Sequence, residues 1–251
     1  MSKIISVHSF RGGTGKSNAT ANLAVAIACQ GKRVGIIDTD IQSPGIHVLF
    51  GLEPDLIEFT LNSYLWGNCA IDKAAYDVSP KEVQAQNGCI FFVPSSIKMA
   101  DISKILREGF SVEILQDGFE ALIDRLGLDY LLIDTHPGLN EETLLSITMS
   151  DILVLLMRPD QQDFQGTAVT IDVARKLGVS QMLVVINRML PSFDQEMLKE
   201  RIKTTYQVPV AGVLPNSEDM MLLASNGLFL LLYPNHPLSL EYQAIANLIA
   251  T

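Results

Sequence analysis

The run Ser9-Phe10-Arg11-Gly12-Gly13-Thr14-Gly15-Lys16-Ser17 sets three glycines among a lysine and three hydroxyls. Gly12, Gly13 and Gly15 let a backbone approach a ligand closely and aim successive N–H groups at it. Lys16 can place a point charge on the outer oxygens of a polyphosphate, and Ser17 can offer its hydroxyl to Mg²⁺. The flanks agree with that chemistry. Lys3 to His8 is a β-branched run of strand type. Asn18 to Gln30 carries Leu23, Ala24, Ile27 and Ala28 at helical spacing. A glycine-rich turn between strand and helix is where a polyphosphate is most cheaply desolvated.

Two acidic strand ends follow. Lys32 to Asp38 reads as a strand buried on both faces, running into Asp38-Thr39-Asp40-Ile41-Gln42-Ser43-Pro44-Gly45. Asp38 and Asp40, two residues apart, point the same way, toward the carboxyl edge where α/β sheets bind ligands. Asp129 to Asp134 is a second apolar strand closed by an acid, followed by Thr135-His136-Pro137-Gly138. A carboxylate in that place faces the water shell of a bound Mg²⁺.

Together these segments resemble the ParA/MinD family of ATPases. Its deviant Walker A motif reads K-G-G-x-G-K-[ST], which Arg11 to Ser17 matches with arginine for the leading lysine. Phe10 stands where the standard P-loop pattern has glycine. The resemblance implies a nucleotide-binding set of Gly12, Gly13, Thr14, Gly15, Lys16, Ser17 and Asn18. Asp40 would orient the attacking water, while Asp38 and Asp134 join Ser17 around the metal. Asn187, ending the strand-like run from Gln181 to Arg188, matches the asparagine that reads adenine through its amide. Arg188 lies beside it. Val208 to Pro215 resembles the family strand whose following loop packs on the base, so Pro215 joins the set.

Arg11 carries two readings. In the family the leading lysine crosses to the partner subunit's nucleotide, which ties hydrolysis to dimerisation. An arginine there could act as a trans cation beside Lys16 and Asp40. It could equally stabilise the loop within its own subunit. His136, a small departure from the family's D-T-P-A-G or D-T/C-P-P-G, could accept a proton.

The resemblance runs from about residue 3 to residue 248. It implies one domain over residues 1–251, an α/β P-loop NTPase with a mostly parallel central sheet and helices on both faces. It implies ATP and Mg²⁺ as cofactors, a homodimer when ATP is bound, and a protein activator or cargo. An ATP-dependent ligase or carboxylase on the same fold, or a non-hydrolysing nucleotide-binding scaffold, are the alternatives.

Composition narrows the partners. A net charge of -10 argues against non-specific binding to DNA or an anionic membrane. No Lys or Arg follows Lys203, so the basic terminal helix of membrane-binding relatives is absent. Lys199, Arg201 and Lys203 read as a solvated helix face. No apolar run reaches membrane-spanning length. Cys29, Cys69 and Cys89 are scattered, with no C-x-x-C, which suits reduced thiols and a cytoplasmic location.

The elements that must hold these residues alternate along the chain. The patterns predict a short helix over Thr60 to Trp66, a strand over Ile90 to Pro94, and helices over Ile97 to Arg107 and Val112 to Leu126. They further predict a strand over Asp151 to Met157 and a helix over Phe164 to Leu177, stopped by Gly178. Tyr64 and Trp66 read as local core.

Overall fold

The computed structural model describes residues 2–250. In chain order its elements are β1 (Lys3–His8), α1 (Lys16–Ala28), β2 (Arg33–Asp38), α2 (Ile46–Leu49), α3 (Leu61–Leu65) and β3 (Tyr76–Asp77). There follow α4 (Lys81–Gln84), β4 (Cys89–Val93), α5 (Met99–Glu108), α6 (Val112–Leu126), β5 (Tyr130–Asp134), α7 (Glu141–Thr148) and β6 (Ile152–Met157). The last are α8 (Gln161–Lys176), β7 (Gln181–Met189), α9 (Gln195–Tyr206), β8 (Val210–Pro215), α10 (Glu218–Leu223), α11 (Phe229–Leu232) and α12 (Pro237–Ala250).

All eight strands form one sheet in the order β3-β4-β2-β5-β1-β6-β7-β8. Among the described residues only the β3–β4 pair is antiparallel. Parallel strands with helices on both faces bury both sides, which is why they read as continuous apolar runs. The pleat sorts them. Ile5, Val7, Val34, Ile36, Leu132 and Val154 pack with α1 and α12 on one face. Ile4, Ile37, Leu131 and Ile133 face α3 and α6 on the other. Leu153, Leu155, Val184 and Ile186 face α8 and α9.

The winding reverses around β1. The chain goes from β1 to β2 on the β5 side, and after β5 crosses to β6 on the other. In such sheets the ligand crevice opens outside the carboxyl ends of the strands flanking the reversal. Val7 of β1 and Asp38 of β2 both lie in register with Asp134 of β5, so the acidic strand ends meet at that crevice.

The predicted helix from Asn18 starts two residues earlier, at Lys16, because Gly15 takes a left-handed conformation (φ +93°) and serves as the N-cap. The predicted helix over Phe164 to Leu177 begins at Gln161, where Asp160 accepts hydrogen bonds from the Gln162 and Asp163 N–H groups. That polar first turn carries no apolar periodicity to reveal it. Tyr64 and Trp66 lie half-buried against the β2–β5 core face. No helix of the described residues is long and apolar enough to cross a membrane.

Candidate nucleotide site

At the carboxyl end of β1 the chain turns through Ser9–Gly15 into α1. Gly13 adopts φ +74°, and nothing lies within 4 Å of where its Cβ would be. Gly15 has a positive φ, and a Cβ there would sit 2.6 Å from Asn187 Nδ2, so that side chain would have to shift. No side chain caps α1 and no acid occupies its first turn. The first-turn N–H groups of a helix have no intrahelical acceptor, and with the macrodipole they favour an anion. The buried Thr14 hydroxyl has no hydrogen-bond partner among the described residues.

The charged groups converge beneath this loop. Lys16 Nζ lies 3.1 Å from Asp134 Oδ1 and 3.9 Å from Asp40 Oδ2. Ser17 Oγ donates to Asp134 Oδ2 at 2.7 Å, and Thr20 Oγ1 donates to Asp134 Oδ1 at 3.1 Å. Burial opposes the Lys16 charge, yet Asp134, Asp40 and Asp38 together hold its ammonium above the ordinary lysine value. Asp38 accepts from the backbone N–H groups of Asp40 (3.1 Å) and Gly45 (3.2 Å). Burial, and then the Asp134 charge, push its carboxyl up to about 8, with Lys16 pulling the other way.

Two histidines border the cluster. His136 Nδ1 lies 2.7 Å from Asp40 Oδ1, a distance at which a ring N–H donates to the carboxylate. His8 is buried, its Nδ1 2.8 Å from Thr135 Oγ1 and its Nε2 unpartnered. Burial, then the charges of Lys16 and His136, lower His8 to about 3. It is therefore neutral.

Two adjoining cavities serve the loop. One of about 250 Å³ is lined by Gly12 to Asn18 with Asp40, Ser43, Pro137 and Arg188. The other, about 290 Å³, shares Gly15, Asn18 and Arg188 with it and extends to Asn187, Pro215, Met220 and Tyr242. A larger hollow of about 740 Å³, between α2 and residues 226–232, shares no lining residue with the loop cavity. The predicted residues from Gly12 to Ser17, with Asn18, Asp40, Asn187, Arg188 and Pro215, thus surround one connected space. Asp38 and Asp134 do not line it; both are buried, Asp134 directly behind Lys16 and Ser17.

Two placements differ from simple expectation. Asn187 is engaged with the loop itself: Nδ2 donates to Thr14 O at 2.7 Å, and Oδ1 accepts from Arg188 N at 2.8 Å. One N–H of the amide remains for a base. Arg11 points away from the cavity, toward Asp160 and Asp163 of the α8 N-terminus. Asp40 and His136 are each legible in the sequence, but their contact is not, and neither is Thr20 as a site residue. Thr20 lies one turn beyond Lys16, a spacing that marks the shared helix face, whereas the histidine contact joins segments far apart in sequence.

Among the described residues no group of three or more His, Cys, Asp or Glu could hold a metal ion alone. Mg²⁺ needs no such group, because it keeps several waters and binds through one or two protein oxygens plus phosphates. Ser17 Oγ, with Asp38 and Asp134 behind it, suits that mode. The glycine cradle, open helix end and unpartnered Thr14 hydroxyl suit a polyphosphate.

A parallel α/β sheet with these parts at its point of reversal defines a P-loop nucleotide-binding protein. A family model described as an AAA domain matches residues 2–190, and the chain belongs to that family, as one of its ParA/MinD-type ATPases. It is 29% identical to an uncharacterized ATP-binding protein of Methanocaldococcus jannaschii, over 98% of this chain and 87% of that one. It is 26% identical to the septum site-determining protein MinD of Synechocystis, over 90% and 81%. The fold matches that of MinD from Pyrococcus horikoshii, solved with Mg-ADP, with a TM-score of 0.83, 21% identity and coverage of 99% and 96%.

Proposed function

We propose that this ATPase is a dimerisation switch: Mg-ATP binding closes two copies into a dimer that regulates or positions a protein partner, and slow hydrolysis reopens it. The observation that carries this reading is the convergence of Lys16, Ser17 and Asp134 under an open helix end, with Asp40 at the rim. Mg²⁺ supplies charge neutralisation on the phosphates when bound. Lys16 leaves its carboxylates for the phosphate oxygens. Ser17 would hold Mg²⁺ through its hydroxyl, and Asp134 and Asp38 would accept hydrogen bonds from the ion's water shell. Asp40 orients the attacking water, and His136 fixes the Asp40 carboxylate. Catalysis of this type rests on positioning and electrostatics more than on a strong base.

Asp40 and Gly138 belong to segments directly after β2 and β5, so contacts to a terminal phosphate would change the surface on which those segments lie. The Pyrococcus horikoshii relative's Mg-ADP and the septum-site role in the Synechocystis relative's name support a nucleotide-dependent regulator. The net charge of -10 favours a protein partner over an anionic membrane or nucleic acid.

The test is the solution mass with no nucleotide, with ADP, and with ATP plus Mg²⁺, for wild type and Asp40→Ala. ATP-specific dimerisation, prolonged in Asp40→Ala, is the expected result. A mass indifferent to nucleotide in both proteins would reject the switch.

A further inference from the structure

The large hollow beside α2 has walls that continue into the nucleotide cavities. One wall is His47 to Pro54, which follows the turn where the Gly45 N–H donates to Asp38 Oδ2 at 3.2 Å. The facing wall includes Asn226, Gly227 and Leu228. Immediately before it, Ala224 and Ser225 line the cavity that reaches Asn187 and Pro215. A buried side chain adds a further link. Asn22 Oδ1 accepts from the Leu230 N–H at 2.8 Å, and its Nδ2 donates to Asn18 O at 2.8 Å. Asn18 lines both nucleotide cavities.

The lining selects an occupant. Val48 is 47% exposed and Leu232 55%, with half-buried Phe50, Leu52, Val78 and Leu231 around the same space of about 740 Å³. Apolar side chains left open in a concavity mark a binding face. The charged lining residues are Glu53 and Glu82, both exposed, and no Lys or Arg lines the hollow among the described residues. His47, 8% exposed, is also part of the lining, and its Nδ1 is buried without a partner. Burial lowers its pKa below the ordinary histidine value, so the ring is neutral and brings no positive charge. The hollow therefore offers apolar walls, a negative rim and an imidazole able to accept a hydrogen bond.

We propose that this hollow docks a segment of a protein partner in which apolar side chains are flanked by Lys or Arg, and that its occupancy is coupled to the nucleotide site. Its role for a regulated partner rests on the switch reading. The apolar anchors fill the space between Val48 and Leu232, and the basic residues meet Glu53 and Glu82. The same carboxylates repel an anionic membrane.

The probe is a labelled amphipathic peptide of Leu and Lys, with a Leu and Glu peptide beside it, followed by fluorescence anisotropy. The Leu–Lys peptide should bind the nucleotide-free chain, and the Leu–Glu peptide should not. Val48→Asp combined with Leu232→Asp should weaken binding at least about tenfold, the loss of a buried anchor. Both positions are exposed, so the thermal midpoint and Mg-ADP affinity should hold. The two aspartates also add negative charge, so attraction by charge alone would strengthen binding instead. Glu53→Gln with Glu82→Gln should weaken it by about two- to fivefold at low salt, as exposed ion pairs do. Glu108→Gln with Glu120→Gln, on α5 and α6, should leave it unchanged. Saturating Mg-ADP should shift the peptide's affinity by about fivefold or more, and the peptide should shift that of Mg-ADP by the same factor.

Undiminished binding to the double aspartate variant, or no binding to wild type, would overturn the docking site. An unshifted affinity with Mg-ADP would overturn the coupling. Loss of ATP-driven dimerisation in the double aspartate variant would assign the hollow to a second copy instead. Binding of phosphatidylcholine vesicles by wild type but not by that variant would assign it to a lipid surface. A chain that binds the peptide yet keeps its mass with ATP would reject the switch and leave the docking site standing.

Discussion

Asp40 and His136 form the contact most exposed to a single change. If His136 fixes the carboxylate that orients water, His136→Ala should lower kcat by about ten- to hundredfold while leaving nucleotide affinity nearly intact. Single-turnover hydrolysis beside equilibrium binding of ADP separates the two effects. Asp38 and His8 make a second test, through pH. The Asp38 carboxyl is raised to about 8 from 3.8, so the folded chain binds the proton more tightly and stability falls as pH rises between those values. His8 is lowered to about 3 from 6.5, so stability falls as pH drops through that interval. The slopes oppose each other from about pH 4 to pH 6.5, and above that only the Asp38 slope remains. Nucleotide-free protein should lose stability from pH 6.5 to 8 by at most about 1.4 kcal/mol per pH unit. Asp38→Asn should flatten that limb in denaturant titrations. The acids themselves were legible because each ends an apolar run that reads as a strand. Their mutual repulsion was not, since it depends on β2 and β5 being neighbours in register.

At the scale of elements, the departure at Phe10 finds its reason in α8. Gly166 leaves room for the ring, and a Cβ there would stand 2.1 Å from Phe10 Cδ1 and 2.4 Å from Cγ. Gly166→Ala should therefore destabilise the chain by about 1–3 kcal/mol, as overpacking does. Adding Phe10→Gly should recover part of that loss, and urea midpoints of the single and double variants check it. Sequence reasoning recovered β1, α1, β2, α6, β5 and β7 closely because strong periodicity is local. It missed the start of α8, where Asp160, Gln161, Gln162 and Asp163 are all polar. It left α7 unassigned, although Asn140 followed by Glu141 and Glu142 carries a capping signature. The match of Phe10 to Gly166 and of Arg11 to Asp163 joins segments about 150 residues apart, and no spacing rule reaches that far.

For the whole molecule, ligand binding and folding are linked. Mg-ADP at about a hundred times its Kd should stabilise the chain by about 2.7 kcal/mol, raising Tm by about 5–10 °C for a domain of this size. Lys16→Ala should abolish most of that rise, because it removes the ammonium that meets the phosphates. Scanning calorimetry with and without nucleotide measures both. The sheet order was only partly legible. Alternating strands and helices imply a parallel sheet, but the placement of β5 between β2 and β1 follows from packing across the whole chain.

The open end of α1 has a consequence for motion. This helix is buried along most of its length and packs against both the sheet and α12, yet its first turn lacks a side-chain cap. The fold has left its central rod unfinished at one end, and a bound phosphate completes it. Nucleotide should then quieten parts of the protein it never touches. Amide exchange ought to slow along α1 and into α12, so the surface far from the crevice would register its occupancy as a change in stiffness, with no change in shape.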